Sequence, residues 1–479
     1  MEISKEFLTE ILSKKHRDDL APSNVKNLTV EIDCSKKIEL EKIETGLRSE
    51  VFKSPVLKYS LFLPGKTEKK EETICMKMYG KGKIMDSSKI VDQKDKVERE
   101  AKAMDLMSKN NAKSTVKCYS YIKNGNGLQI FMKYLGNNLL GRNFRELNND
   151  ETWVLGDIAK NQPLHISELE KRDYFHEKQA DIALIELSKL GFIEEKDKKY
   201  RLTPKFNERF DFKGEGPGIQ QKEDYKKSRM SFLEKGLDDL FLFSDEARNY
   251  LNIEMKANLN LPLLMADDYI ERFMRKLYTS VKYDSEVLNK KDMAEKYKSD
   301  EEKIRTLYFK PANLLEKAIG NVIINDAHLE NIMGYENEVK IIDLFHISQG
   351  VWLSDVVDYL LSAKLLCNIS NSEYNMLLSS AYIKRNNIIE KGRCAGENEE
   401  LFTKLKKILD VDRGVYYLGS ASGYLLNYKK KFDKNEQRNL KIKREGYKSY
   451  AKESLNAIKD EDEQFFPKEL KDIISKYIQ

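Results

Sequence analysis

Cysteine is scarce and scattered: Cys34, Cys75, Cys118, Cys367 and Cys394 lie far apart, with no Cys-x-x-Cys pair. That pattern supplies neither a disulfide framework nor a four-ligand zinc site, and it suits a reducing, cytoplasmic setting. Long apolar runs are also missing. None approaches the ~20 residues that a membrane-spanning helix needs, so no membrane partner is expected. The opening Met1-Glu-Ile-Ser-Lys-Glu-Phe7 carries charges where a secretory signal needs an apolar core. Nor is there a large excess of either charge. The 84 basic and 79 acidic side chains leave a net +5, which by itself argues for neither nucleic acid nor anionic lipid. Internal repeats and low-complexity segments are absent. What is present is a chain of 479 residues, 40% hydrophobic and 34% charged, able to bury a core across two to four domains.

The most informative stretch is Val322-Ile-Ile-Asn-Asp-Ala-His-Leu-Glu-Asn-Ile-Met333, followed by Lys340-Ile-Ile-Asp-Leu344. Short apolar runs on either side of a polar turn read as buried strands flanking a loop. Asp326, His328, Asn331 and Asp343 should therefore converge at one end of a hairpin. Two carboxylates and a carboxamide offer oxygen donors, which suit a hard cation such as Mg²⁺. One carboxylate orienting a hydroxyl while the other, with the Asn, holds metal-bound phosphate is the division of labour in phosphoryl transfer. The plain alternative is a polar turn between core strands, with Asp and Asn chosen for turn chemistry.

Asp326-x-His328-x-x-Asn331 followed by Ile341-Ile-Asp343 resembles the catalytic and metal loops of the aminoglycoside phosphotransferase and choline kinase superfamily. The usual His-Gly before the catalytic Asp is Ile324-Asn325 here. Asp355, in Trp352-Leu-Ser-Asp-Val-Val-Asp-Tyr359, is similar to the Asp with which these families open the following helix. The resemblance implies an α+β fold: a two-lobed protein-kinase-like architecture, with an antiparallel-sheet amino lobe and a mainly helical carboxy lobe. It also implies ATP or GTP with Mg²⁺ as cofactors, Asp326 as catalytic base, and Asn331 and Asp343 as metal ligands. His328 takes a structural role within the loop.

The remaining kinase-like parts follow in order. Residues 1–37 form a helical extension whose stripe is Phe7, Leu8, Ile11 and Leu12. Residues 38–149 alternate as strands and contain one long helix. Gly46-Leu-Arg-Ser-Glu-Val-Phe52 resembles a nucleotide loop with a single glycine, which assigns Gly46 and Ser49 to the nucleotide. Ile74-Cys-Met-Lys77 resembles the strand bearing the phosphate-binding Lys. In the helix after Asp95, the stripe Val97, Ala101, Met104 and Met107 predicts a core face. Glu100 lies at its edge as the partner of Lys77, with Glu98 as the competing candidate. Met132-Lys133-Tyr134-Leu-Gly136 resembles the hinge, whose backbone would meet the adenine.

Residues 150–206 allow two readings. Three helices and a charged hairpin suggest a winged-helix-like insert. Alternatively, Gln179 to Leu190 is the first long helix of the carboxy lobe. Asp181 and Glu186 on the third helix argue against a DNA-reading surface, so nucleic acid is the lesser partner reading. Phe210 to Asp224, with Gly214-Glu-Gly-Pro-Gly218, reads as a loop. Residues 207–479 form a helical carboxy lobe containing the catalytic and metal loops. Asp267 and Asp268 either open a helix or meet a cationic acceptor. The basic stretches Tyr428-Lys-Lys-Lys-Phe-Asp-Lys434 and Leu440-Lys-Ile-Lys-Arg-Glu445 read as a solvated helix face. A small-molecule acceptor is the first expectation, a protein kinase the nearest rival. A non-catalytic nucleotide-binding or DNA-binding regulator is the reading from another class.

Overall fold

The computed structural model describes residues 2–19, 28–33, 37–45, 49–80, 90–124, 127–136, 145, 147, 149–161, 164–165, 177–197, 199–212, 219–259, 261–290, 292–335, 338–390, 399–427 and 434–478. Its amino-terminal part contains, in order, β1 (Glu2–Ser4), α1 (Lys5–Asp19), β2 (Thr29–Ile32), β3 (Lys37–Glu39), β4 (Glu41–Thr45), β5 (Glu50–Lys53), β6 (Leu57–Leu63), β7 (Lys66–Glu72), β8 (Ile74–Gly80), α2 (Ile90–Lys109), β9 (Cys118–Asn124) and β10 (Gly127–Lys133). The central sheet is antiparallel, ordered β4-β5-β8-β10-β9, and β2-β6-β7 make a separate three-stranded sheet. The expected strands are therefore present. β7 is an additional strand: Lys66-Thr-Glu-Lys-Lys-Glu-Glu72 is almost wholly polar, yet it pairs with the alternating strand β6 along its length.

Strand alternation decides which face each side chain takes. Ile74, Met76 and Phe131 join Phe52 and Tyr119 in the core that α1 covers with Leu8, Ile11 and Leu12. Phe7 of α1 meets the Phe131 ring edge-on, with centroids 5.3 Å apart. On the opposite face Cys75, Ile130 and Met132 pack on Val97, Ala101, Met104 and Met107 of α2. Lys77 and Tyr79 share that second face, which is how the strand aims a lysine at α2.

The next segment runs α3 (Asn149–Asn161), β11 (Leu164–His165), α4 (Glu177–Lys189), β12 (Ile193–Lys196), β13 (Lys199–Leu202) and α5 (Pro204–Arg209). Its small sheet is ordered β11-β13-β12. Val154, Leu155, Ile158, Leu184, Leu187, Phe192 and Ile193 make a core of their own. Helices α3 and α4 and the three-stranded sheet around that core make a small unit. Two details differ from expectation. Leu164–His165, where the second of the three expected helices (164–169) was to begin, is a strand paired with Tyr200 and Lys199, and 166–169 lie outside the described residues. Phe210 to Asp224 is also more than a loop: β14 (Phe210–Phe212) and β15 (Ile219–Gln221) pair antiparallel.

The carboxy lobe opens with α6 (Glu223–Asn258), which takes the long-helix position that the alternative reading gave to Gln179–Leu190. It continues with α7 (Ala266–Val287), α8 (Asp292–Lys317), β16 (Asn321–Ile323), β17 (Ile332–Tyr335), β18 (Glu338–Ile341), β19 (Ser348–Gly350), α9 (Leu353–Leu366), α10 (Asn371–Glu390), α11 (Glu399–Asn427), α12 (Lys434–Ala457) and α13 (Lys468–Tyr477). Asp267 and Asp268 lie in the first turn of α7, and Asp268 Oδ2 accepts the Met265 N–H at 2.9 Å. The helix-opening reading of that pair therefore holds for Asp268. Gly419 lets α11 pass close to α7: a Cβ there would lie 2.2 Å from the Lys276 carbonyl oxygen.

The solvated-face reading fails for Arg444 of α12. Its guanidinium is buried against Asp284, donates to Ser422 Oγ at 2.9 Å, and lies over the Tyr283 ring. Residues 428–433 of the same basic section lie outside the described residues. Among the described residues, no helix is long and apolar enough to cross a membrane.

Candidate active site

Strand β16 delivers the chain into a loop whose shape is fixed by side chains from several helices. Asp355, in the first turn of α9, accepts the N–H groups of Ile324 and Asn325, each at 2.8 Å. Burial pushes Asp355 up to about 6, against the pull of those two donors and of Arg413. Asn325 then takes φ +60°, in the left-handed region. Asn tolerates that region better than any β-branched or bulky residue. This accounts locally for a non-glycine residue directly before Asp326.

After Asp326 the loop closes on itself. His328 Nδ1 accepts the Glu330 N–H at 3.2 Å, the structural role expected of it. The Asn331 N–H bonds the His328 carbonyl at 2.9 Å, and Ser362 Oγ of α9 accepts the Leu329 N–H at 3.0 Å. Asn331 Nδ2 donates to the Asp326 carbonyl oxygen at 2.9 Å, so its Oδ1 is the end left to act as a ligand. Asp326 Oδ1 accepts the Tyr417 hydroxyl at 3.2 Å and lies 3.8 Å from His328 Nε2.

The hairpin β17–β18 brings Asn331 and Asp343 together. Ile332 faces Ile341, and the Ile342 N–H bonds the Asn331 carbonyl at 3.1 Å. Asn331 and Asp343 thus leave the hairpin at the same end, as the apolar runs imply. Asp343 Oδ1 accepts the Phe345 N–H at 2.9 Å, and Oδ2 lies 3.1 Å from Lys77 Nζ. Lys77 also donates to Glu100 Oε1 at 2.8 Å, and Glu100 takes a second bond from the Tyr79 hydroxyl. The choice between acids on α2 is resolved: Glu100 is fully buried beside Lys77, whereas Glu98 pairs with Lys123. Burial alone would lower the Lys77 pKa, but Asp343 and Glu100 hold it well above its ordinary value. Burial would likewise raise Asp343, yet Lys77 and the Phe345 N–H keep it low. For Glu100 burial wins and its pKa is raised.

The two lobes meet at this site. The Tyr79 ring stacks on Phe345 with centroids 6.2 Å apart. Ser114 and Val116, on the segment entering β9, bond to both sides of Ile341. Glu246 of α6 fastens that same segment by accepting the Lys113 and Ser114 N–H groups at 2.7 and 3.0 Å.

The proposed hinge is placed between the lobes with less of its backbone available than expected. The Lys133 N–H bonds the Lys117 carbonyl, and the Tyr134 N–H bonds the Thr73 carbonyl. Met132 is buried on the α2 face of the sheet. Adenine recognition by those two N–H groups would require breaking internal bonds. Gly46 lies outside the described residues, and Ser49 immediately precedes β5.

The donor set fits Mg²⁺. One carboxylate and one carboxamide oxygen, at the mouth of a hairpin and beside a lysine, match a cation that completes its shell with phosphate and water rather than an all-protein cage. Among the described residues no group of three His, Cys, Asp or Glu side chains offers such a cage.

Sequence reasoning missed Arg272, Tyr417, Asp358, Arg413 and Ser362. Arg272, Tyr417 and Arg413 come from helices distant in sequence from the loop, whereas Asp358 and Ser362 lie on α9, which follows it. The available signal was acids embedded in an apolar helix: Asp355 and Asp358, both buried in α9, need a polar reason to be there.

Together these elements make a two-lobed α+β chain, an antiparallel-sheet amino part and a mainly helical carboxy part, with Lys77, Asp343 and the loop after β16 where the two meet. No family model matches the chain, and neither does any curated protein. Among solved structures it is similar to a choline kinase from Cryptosporidium parvum Iowa II, 13% identical, covering 96% of this chain and 99% of that one, with a TM-score of 0.36. It is also similar to a choline kinase from Streptococcus pneumoniae, at 12% identity, 93% and 100% coverage and a TM-score of 0.33. A choline/ethanolamine kinase family protein from Mesorhizobium loti is 12% identical over 89% of this chain and 91% of that one, with a TM-score of 0.34.

Proposed function

We propose that this protein is an ATP- or GTP-dependent phosphotransferase that moves the γ-phosphate to a hydroxyl group of a small molecule. The observation that carries this reading is the convergence of Asp326, Asn331 and Asp343 at one loop pair, with Lys77 held against both Asp343 and Glu100.

Asp326 orients the acceptor hydroxyl and takes its proton as the new P–O bond forms and the bond from the γ-phosphorus to the β–γ bridging oxygen breaks, leaving the nucleoside diphosphate. With Oδ1 held by Tyr417, the other carboxylate oxygen is the acceptor. Lys77, kept protonated by its two carboxylates, neutralises phosphate charge from its buried position on β8. Asn331 and Asp343 would hold Mg²⁺, which supplies charge neutralisation at the phosphate oxygens. Catalysis then comes from positioning and electrostatic stabilisation.

A small acceptor is favoured over a peptide because α9 begins at Leu353, soon after Asp343. Little chain remains for a peptide-accepting segment. A DNA-binding role for the small unit containing α3 and α4 is disfavoured by Asp181 and Glu186 on α4.

The direct test incubates the protein with γ-labelled ATP, Mg²⁺ and a panel of amino alcohols, sugars and aminoglycosides. Label is expected on an organic hydroxyl. Label on added protein substrates alone would transfer the reading to a protein kinase.

A further inference from the structure

Asp326 is held weakly by its own side chain: one long hydrogen bond from Tyr417 and a more distant His328. The residue before it is held strongly. Asn325 Oδ1 accepts from Arg272 Nη1 at 3.0 Å and from Arg413 Nη2 at 2.6 Å. Its backbone N–H is bound by Asp355 at 2.8 Å, and its φ of +60° turns the chain sharply.

The two guanidinium groups are themselves anchored. Arg272 Nη2 donates to Asp412 Oδ2 at 2.7 Å, and Asp412 Oδ1 accepts the Tyr308 hydroxyl at 2.8 Å. Arg413 is fully buried, with Nε 3.4 Å from Asp358 Oδ1. Burial pushes Asp358 up to about 7, against the pull of Arg413. Helices α7, α8, α9 and α11 thereby converge on one amide oxygen.

On the phosphotransferase reading above, we infer that Asn325 is the positioning residue of the catalytic loop. Arg272 and Arg413 grip its side chain and so place the carboxylate of the next residue, Asp326. An Asn satisfies both demands at once. It adopts the left-handed conformation with little strain, and it supplies a neutral acceptor to two buried cations. Glycine would meet only the first demand. Arg413 Nε and Nη1 and Arg272 Nε already make no good hydrogen bond. Removing Asn325 Oδ1 would strand two more buried donors, and the loop would shift to repair them.

The test compares Asn325→Gly, which keeps the backbone conformation and deletes the acceptor, with Asn325→Asp, which restores an acceptor oxygen. With MgATP as substrate and water as acceptor, Asn325→Gly should lower kcat roughly a hundredfold, the scale of an ångström-sized misplacement, with KM for ATP unchanged. Asn325→Asp should recover most of that loss. Wild-type kcat in Asn325→Gly, or no rescue by Asp, overturns the assignment.

Amide exchange provides a readout independent of turnover. The N–H groups of Ile324 and Asn325 should exchange faster in Asn325→Gly, while those of Val356–Leu361 within α9 keep their protection. Unchanged loop protection overturns the clamp. If wild type hydrolyses no MgATP yet the loop amides lose protection as expected, the clamp stands and the phosphotransferase reading falls.

Discussion

Asp326→Ala is expected to lower kcat by about 10²- to 10⁴-fold, the range for a positioned general base, with nucleotide affinity preserved. The second half of that expectation follows from the loop geometry. Asn331 is held through the backbone carbonyl of residue 326, at 2.9 Å, and alanine keeps that carbonyl. Lys77 and Asp343 make no contact through the Asp326 side chain; Lys77 answers to Glu100 and Asp343. The groups that would meet the nucleotide therefore stay in place while the proton acceptor disappears. Steady-state kinetics beside a direct ATP-binding measurement would resolve the two. Turnover unchanged in Asp326→Ala would remove Asp326 from the chemistry.

Lys77→Met should produce the largest loss of stability among single changes at the site. Glu100 has no exposed side-chain surface, and among the described residues it keeps, without Lys77, only the Tyr79 hydroxyl as a partner. Asp343 would keep the Phe345 N–H and lose its cation. Removing one member of a buried ion pair leaves an uncompensated charge and costs about 3–5 kcal/mol. Denaturant unfolding should register that loss in the amino lobe. The double variant Lys77→Met/Glu100→Leu should regain much of the stability, because the fully buried Glu100 carboxylate is no longer left without its cation. It should still fail to bind nucleotide. Recovery of nucleotide binding in the double variant would show that Lys77 is only structural.

The sequence was most legible where chemistry and periodicity coincide locally. The hairpin signal around Asp326 and Asp343 is a short-range pattern, and the structure closes it as the apolar runs imply. The Lys77–Glu100 pair was expected from the resemblance of Ile74-Cys-Met-Lys77 to a kinase strand, with helical spacing placing Glu100 at the edge of the α2 stripe, and the two side chains do meet. Legibility failed where the partner is remote. Arg272 and Arg413 lie well away from Asn325 in sequence, and nothing in a helical charge pattern tells a buried guanidinium from a solvated one. The same blindness made Arg444 look exposed, when its partner Asp284 lies 160 residues away. The hinge was read from a local motif, but whether its N–H groups are engaged depends on Lys117 and Thr73 in neighbouring segments. β7 escaped notice because an almost wholly polar strand carries no apolar alternation to reveal it.

The most direct test of the central claim is thermal unfolding of the wild type and of Asp343→Ala with ATP or GTP, each with and without Mg²⁺. Ligand at about 100 times its dissociation constant adds about 2.7 kcal/mol of stability. The account predicts a stabilisation that depends on Mg²⁺ in the wild type and is lost in Asp343→Ala. The same stabilisation in both proteins, or none with any nucleotide, would contradict it.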